Sequence, residues 1–339
     1  MFALSSPRQW AWLPAIAALT IAAAACSSPA SSASGSSSGK SSGSGSGSKH
    51  YTIAYVPGAT GVAFYDTLVK GMRAEAAKLG MSVIYQGSPD FSPDAQTPVV
   101  EGVCSRHPSV LVISPTDPTA MQPAVSTCLN AGIPVITTDT QLSNASELTS
   151  AITTDNNQGG TLAADYIGKH LHGSGQIAVL SLSPTATTQV QRVQSFKNRL
   201  KAAYPGIKIV TLQYTQQAVT SSQTIARSIL LAHPQIRAFY GTAEPNAEGV
   251  ASALAANGDT GKILDVGFDA GPSEVRLLKK GQINALVAQQ AAKEGTLAAQ
   301  YAYDKLTGHA SSIKKSVELP DVLLTTANAA SNATYFYSP

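Results

Sequence analysis

Tryptophan is almost absent from this chain, and so are the patterns that mark common catalytic centres. Only Trp10 and Trp12 occur, both close to the N-terminus, so the remainder has no indole to stack on a ligand. No serine sits in a G-x-S-x-G elbow, no H-E-x-x-H is present, and no glycine-rich phosphate loop opens a helix. His170 and His172 fall near a helix end beside Gly173, where the helix dipole accounts for them as surface residues. With no nucleophile–base pair, the chain reads as a non-enzyme needing neither cofactor nor metal. The excess of positive charge is also small. The formal net charge is +3, and the only lysine pairs are Lys279-Lys280 and Lys314-Lys315. Neither makes a basic stripe, which argues against nucleic acid as a partner. Three cysteines are present, Cys26, Cys104 and Cys128. The last two have no His or carboxylate cluster nearby and do not read as a zinc site.

The N-terminal segment is set apart by composition. Arg8 supplies a positive start, residues 11–25 form an apolar run, and Ala23-Ala24-Ala25 precede Cys26. This is the pattern of a secretory signal. Small residues directly before a cysteine resemble a bacterial lipobox, which implies that Cys26 becomes the lipidated first residue of the mature chain. A conventional signal with an unmodified cysteine is the alternative. Residues 27–48 are almost entirely Ser and Gly and bury too little apolar surface to fold. As flexible coil they hold the following domain roughly 25 Å from an anchor. The expected location is therefore the outer face of a cell membrane, on a lipid anchor. In such an oxidising compartment Cys104 and Cys128, on helices adjacent in sequence, are expected to form a disulfide, two buried thiols being the alternative.

From residue 49 onwards the chain alternates short apolar runs with helical periodicity. Val110-Leu111-Val112-Ile113, bounded by Pro108 and Pro115, suits a strand buried on both faces. Residues 133–140, IPVITTDT, read as a strand with a polar end carrying Asp139. Residues 263–272, ILDVGFDAGP, repeat that grammar with Asp269. Helices are predicted over 64–79, 93–106, 118–131, 158–171, 189–203, 222–232, 244–257, 273–279 and 291–306, with a closing segment over 317–324. This alternation predicts an α/β fold of doubly wound parallel sheets. Ligands bind at the carboxyl ends of strands in such sheets. One aspartate at a strand end in each half suggests a cleft with one wall in each, although either alone could serve as a helix cap or Asx-turn.

Several spaced motifs carry a resemblance over most of residues 50–325. They are TIAYVPGATGVAFY (52–65), ISPTDPTAM (113–121), IPVITTDT (133–140), TTDNNQGGTLAADYI (153–167), QRVQSF (191–196), LLAHPQIRAFYGTAEPNAEG (230–249), VGFDAGP (266–272) and ALVAQQ (285–290). Together they resemble the type I periplasmic sugar-binding proteins of the ribose-binding branch. The resemblance implies two lobes, residues 49–153 with 291–321 and residues 154–290 with 322–339. They would be joined by a three-strand hinge near 153–156, 289–290 and 321–323. It implies capture of a small sugar or polyol and delivery to the permease and ATPase of an ABC importer, by a monomeric receptor. Carried over position by position, Phe64 and Tyr65 would stack on the sugar ring, and Asp139 and Asp269 would grip its hydroxyls. Arg192 and Gln289 would donate to it, and Thr140 and Ala243 stand at further ligand positions. This chain departs from the ribose-binding pattern at Val62, Thr140, Ala243 and around Gln217, where an expected aromatic is missing. A pentose, deoxyhexose, polyol or furanone-like ligand therefore stays open, as does a receptor that presents its ligand to a signalling protein instead of an importer.

Overall fold

The structure, a computed structural model, describes residues 50–338. The leader, Cys26 and the Ser/Gly tether lie outside the described residues. The first half runs β1 (Thr52–Val56), α1 (Ala63–Lys78), β2 (Ser82–Tyr85), α2 (Pro93–Cys104), β3 (Val110–Ile113), α3 (Gln122–Asn130), β4 (Val135–Thr138) and β5 (Ser150–Thr154). The chain then crosses to α4 (Asn156–His170), β6 (Ser174–Ser181), α5 (Thr187–Ala203), β7 (Gly206–Tyr214), α6 (Val219–Ala232), β8 (Ile236–Gly241), α7 (Glu244–Asn257), β9 (Leu264–Phe268), α8 (Pro272–Lys279) and β10 (Ala285–Ala288). It returns for α9 (Ala291–Leu306) and β11 (Ser316–Leu319), and crosses again to β12 (Val322–Leu324).

Two six-stranded sheets result, ordered β2-β1-β3-β4-β5-β11 and β7-β6-β8-β9-β10-β12. Every pairing is parallel except that of β10 with β12. The two lobes thus repeat one strand order. Alternation along the strands sends side chains to two helical layers. In β1, Ile53 and Tyr55 face α1 and α9, while Ala54 and Val56 face α2 and α3. Leu68 and Met72 of α1 are fully buried there, worth about 1.5–3 kcal/mol each relative to exposure. Cys104 and Cys128 join the ends of α2 and α3 in a disulfide, with Cα atoms 5.1 Å apart.

Pro320-Asp321 divide the closing segment 317–324 into β11 in one sheet and β12 in the other, at the crossover expected near 321–323. Two local features differ from the sequence expectation. The helix expected from residue 118 starts at Gln122, because the Asp117 side chain holds the preceding turn by accepting from the backbone N–H groups of Thr119 and Ala120 at 2.9 and 2.8 Å. Thr137 and Thr138, read as the polar strand end, are fully buried members of β4. Thr138 keeps its hydroxyl satisfied against Ser114, 2.9 Å away.

The three crossovers are tied to one another. Asp155 caps α4 by accepting from the Gln158 N–H at 2.9 Å, and Gln158 Oε1 accepts from the backbone of Asp321 at 2.8 Å. Gln290 Nε2 donates to the Pro320 carbonyl at 3.0 Å. The linkage between the lobes is therefore a small hydrogen-bonded knot where the chain passes from sheet to sheet.

Candidate functional site

Both strand-end aspartates sit in the left-handed backbone region, Asp139 at φ 60° and Asp269 at φ 92°. Few residues other than glycine tolerate this, and Asp and Asn are among them. The turn is held from outside in each lobe. The N–H of Asp139 donates to Glu294 Oε2 at 2.9 Å, and that of Asp269 donates to the Val287 carbonyl at 2.8 Å. Backbone held in such a region by surrounding contacts is typical of a binding site.

Around these two residues lies a cavity of about 40 Å³ lined from both lobes. Phe64, Tyr65 and Asp139 line it from the first lobe, and Arg192, Ala243, Asp269 and Gln289 from the second. Thr140 does not join them. Its hydroxyl donates to the Pro115 carbonyl and the residue is buried beneath the site, because the turn at Asp139 points it inward. Val62 and Gln217, noted as departures from the ribose-binding pattern, also line the cavity, and six further lining residues were not foreseen: Phe91, Leu182, Thr188, Gln189, Glu244 and Pro245. Thr188 and Gln189 precede Arg192 by four and three positions on α5, so their helical spacing could have flagged them. Phe91 comes from the loop before α2 and supplies a second aromatic wall beside Gln217, where the aromatic of the family pattern is missing. Gly58 permits this, since a Cβ there would lie 2.6 Å from the Phe91 ring and overlap the Tyr65 hydroxyl.

The polar atoms divide into those already occupied and those aimed into the cavity. Asp139 Oδ2 accepts from the Tyr65 hydroxyl at 2.8 Å, and Oδ1 has no partner among the described residues. Asp269 Oδ1 accepts from Gln289 Nε2 at 2.6 Å and from the Tyr337 hydroxyl at 2.9 Å; Oδ2 accepts only the longer 3.2 Å bond from the Glu244 N–H. Gln289 Oε1 is buried with no partner. Arg192 is 2 % exposed and lies flat on Phe268, its Cζ 3.6 Å from the ring centroid. Its Nε donates to Asn156 Oδ1 at 2.7 Å and its Nη1 to the Thr242 carbonyl at 2.8 Å, while Nη2 has no partner among the described residues. Gln189 Oε1 accepts from Thr242 and Ser181, which fixes the amide and leaves its Nε2 toward the cavity.

Burial sets the charges. It pushes the Asp139 carboxyl up to about 6, against the Arg192 charge and the Tyr65 hydrogen bond, which pull it down. Behind Asp139, burial and then the Asp139 charge raise Glu294 to about 8. Beside Asp269, burial and then the Asp269 charge raise Glu244 to about 8. At neutral pH the flanking glutamates are thus mostly protonated, and the cavity wall carries two aspartates against one arginine. The arrangement offers acceptors at Asp139 and Gln289, donors at Arg192 and Gln189, and aromatic faces at its edge. Such a set suits an uncharged ligand whose groups both donate and accept.

Residues 53–310 match the family described as periplasmic binding protein domain. The ribose import binding protein RbsB of Bacillus subtilis is 30% identical over 272 residues, 80% of this chain and 86% of that protein. Among solved structures, an ABC transporter solute binding protein from Agrobacterium vitis bound with α-D-tagatopyranose superposes with a TM-score of 0.82. It is 31% identical, covering 85% of this chain and all of that one. A carbohydrate transporter solute binding protein from Agrobacterium radiobacter in complex with D-arabinose gives a TM-score of 0.80 at 26% identity, covering 84% of this chain and 97% of that one.

Proposed function

The chain belongs to the periplasmic binding protein family, and from that premise we propose that it captures a neutral monosaccharide or polyol between its lobes and passes it to an ABC importer. The observation that carries the ligand class is the set of unspent polar atoms around one cavity: Asp139 Oδ1, Gln289 Oε1, Gln189 Nε2 and Arg192 Nη2. A sugar hydroxyl satisfies an acceptor with its proton and a donor with its oxygen, so one ligand completes all four. An anion is disfavoured by two aspartates facing one guanidinium. Phe64, Tyr65 and Phe91 provide apolar faces for the C–H side of a ring.

The mechanism is hinge closure. The carboxylates and guanidinium lining the cavity are almost wholly buried, so a ligand has no open path to them from solvent. Entry therefore requires the lobes to part at the three linked crossovers. Closing removes water, so each hydroxyl–carboxylate bond becomes charge-assisted, contributing roughly 1.5–3 kcal/mol. A ligand lacking one hydroxyl leaves a buried polar atom unpaired, and this is how such a site discriminates.

Cys26 would carry the lipid that holds the receptor at the outer face of the membrane, with residues 27–48 as the leash. Membrane fractionation of the Cys26→Ser variant tests this, release into the soluble fraction being expected. Calorimetric titration with D-ribose, D-arabinose, D-tagatose and myo-inositol, each beside its phosphate ester where one exists, tests the ligand class. A neutral compound should bind and its ester should not, and Asp139→Ala or Asp269→Ala should weaken binding at least tenfold. Preference for the esters, or full affinity in either variant, would refute the assignment.

A further inference from the structure

The chain does not end at β12. Residues 325–338 run back to the mouth of the cleft. The start of this segment is fixed by Asn328, whose Oδ1 accepts from the Thr325 N–H at 2.7 Å and whose Nδ2 donates to the Leu323 carbonyl at 2.9 Å. Its far end reaches Tyr337, which is 4 % exposed. The Tyr337 N–H donates to the Ala270 carbonyl at 3.0 Å and its hydroxyl to Asp269 Oδ1 at 2.9 Å, both in the second lobe. On its other side the same segment holds the first lobe. The Tyr337 ring meets Phe64 edge-on, with centroids 5.7 Å apart. Ser338 exchanges two hydrogen bonds with Thr67: the Thr67 hydroxyl donates to the Ser338 carbonyl at 3.1 Å and accepts from the Ser338 N–H at 2.9 Å. Lys70 Nζ adds a bond to Ser338 Oγ at 3.1 Å. Phe64, Thr67 and Lys70 are spaced by three along α1 and form one face of it.

We infer that residues 325–338 act as a latch between the lobes, and that Tyr337 is a positioning residue for ligand recognition, holding Asp269 from behind. This rests on the reading of Asp269 as a ligand-binding residue in a closing cleft. With Gln289 and Tyr337 both on Oδ1, the Asp269 carboxylate has one orientation, and its Oδ2 is the oxygen left to a ligand hydroxyl. Opening the hinge moves Asp269 and Ala270 away from α1. The tail must then release either Thr67 and Phe64 or Tyr337's own partners. Its interlobe bonds exist only when the cleft is shut, so they slow ligand escape without being needed for encounter.

Two substitutions that leave packing volume nearly unchanged test this on the purified protein. Tyr337→Phe removes only the hydroxyl on Asp269, and Thr67→Val removes only the clasp on Ser338. Stopped-flow mixing with D-ribose, D-arabinose and D-tagatose reads association and dissociation separately. Both variants should release the bound sugar about tenfold faster or more, with association no slower than in the wild type, as loss of a hydrogen bond made only in the closed state requires. Small-angle scattering of the ligand-free proteins reads closure without any sugar, and both variants should show a larger radius of gyration than wild type. Unchanged release rates, or superimposable scattering from all three proteins, would overturn the latch. If none of the three sugars binds the wild type, the proposed ligand class fails, and the scattering comparison alone decides the latch.

Discussion

Replacing Asp139 by asparagine should stabilise the empty protein and weaken its grip on a sugar. Asp139 is 6 % exposed, and burial lifts its carboxyl from 3.8 to about 6. The folded protein therefore holds this proton more tightly than the unfolded chain does. Its contribution to stability is present at low pH, falls as pH rises from about 4 to about 6, and stays lost above that. Roughly two pH units at ~1.4 kcal/mol each set an upper bound of about 3 kcal/mol for the cost of ionising Asp139. Asparagine keeps the shape, still accepts from Tyr65, tolerates the left-handed backbone, and carries no charge. Scanning calorimetry should place the midpoint of Asp139→Asn level with wild type at pH 4 and a few degrees above it at pH 8, since ~1 kcal/mol moves a fold of this size by about 2 °C. Titration at pH 8 with a sugar that binds the wild type should show about tenfold weaker binding, because a neutral acceptor replaces a charged one. A lower midpoint at pH 8 would refute the reasoning. It would mean that the protein interior, through Arg192 and Tyr65, already offsets the buried charge before any ligand arrives.

Three other variants probe the site and the scaffold around it. Arg192→Lys has no planar fork, so it strands Asn156 Oδ1 or the Thr242 carbonyl; a loss of about 1–3 kcal/mol in calorimetric stability and more than tenfold in sugar affinity is expected. Gly295→Ala places a methyl against the Leu68 carbonyl and 2.8 Å from the Met72 nitrogen, where α9 crosses α1; overpacking against backbone should cost about 1–3 kcal/mol, read as a lowered unfolding midpoint. Cys104→Ser with Cys128→Ser frees a loop with a sequence separation of 24, worth about 3 kcal/mol on chain-entropy grounds, while sugar affinity measured by titration should stay within twofold because neither residue lines the cavity.

Much of the scaffold is legible without coordinates because its signals are local. A run such as Val110–Ile113 between prolines suits a strand buried on both faces, and its repeated alternation with amphipathic stretches points to parallel pairing. The two aspartates share one context, an apolar run followed by a polar end, so their common position at strand ends is visible in each half separately. Thr140 shows where this stops. Its neighbour Asp139 lies at positive φ, which turns the next side chain away from the cleft, and no spacing rule reports a single backbone angle.

The α/β class, the alternation of elements and the residues at the strand ends follow from periodicity and short-range sterics along the chain. Tertiary structure alone decided which residues meet. Pro320-Asp321 sends two neighbouring strands into different sheets, and only the assembled lobes bring Phe91 from one loop opposite Gln189 from a helix. It also decided the charge states at the cleft, since Glu244 and Glu294 rise to about 8 only through burial beside aspartates distant in sequence. Tyr337 is the plainest case. Nothing near it in the chain signals a role, and its place behind Asp269, 68 positions away, arises because the tail returns to the strand end of the second lobe, where the Tyr337 N–H also donates to the Ala270 carbonyl. Contacts of that kind depend on the three-dimensional path of the whole chain, which local preference does not encode.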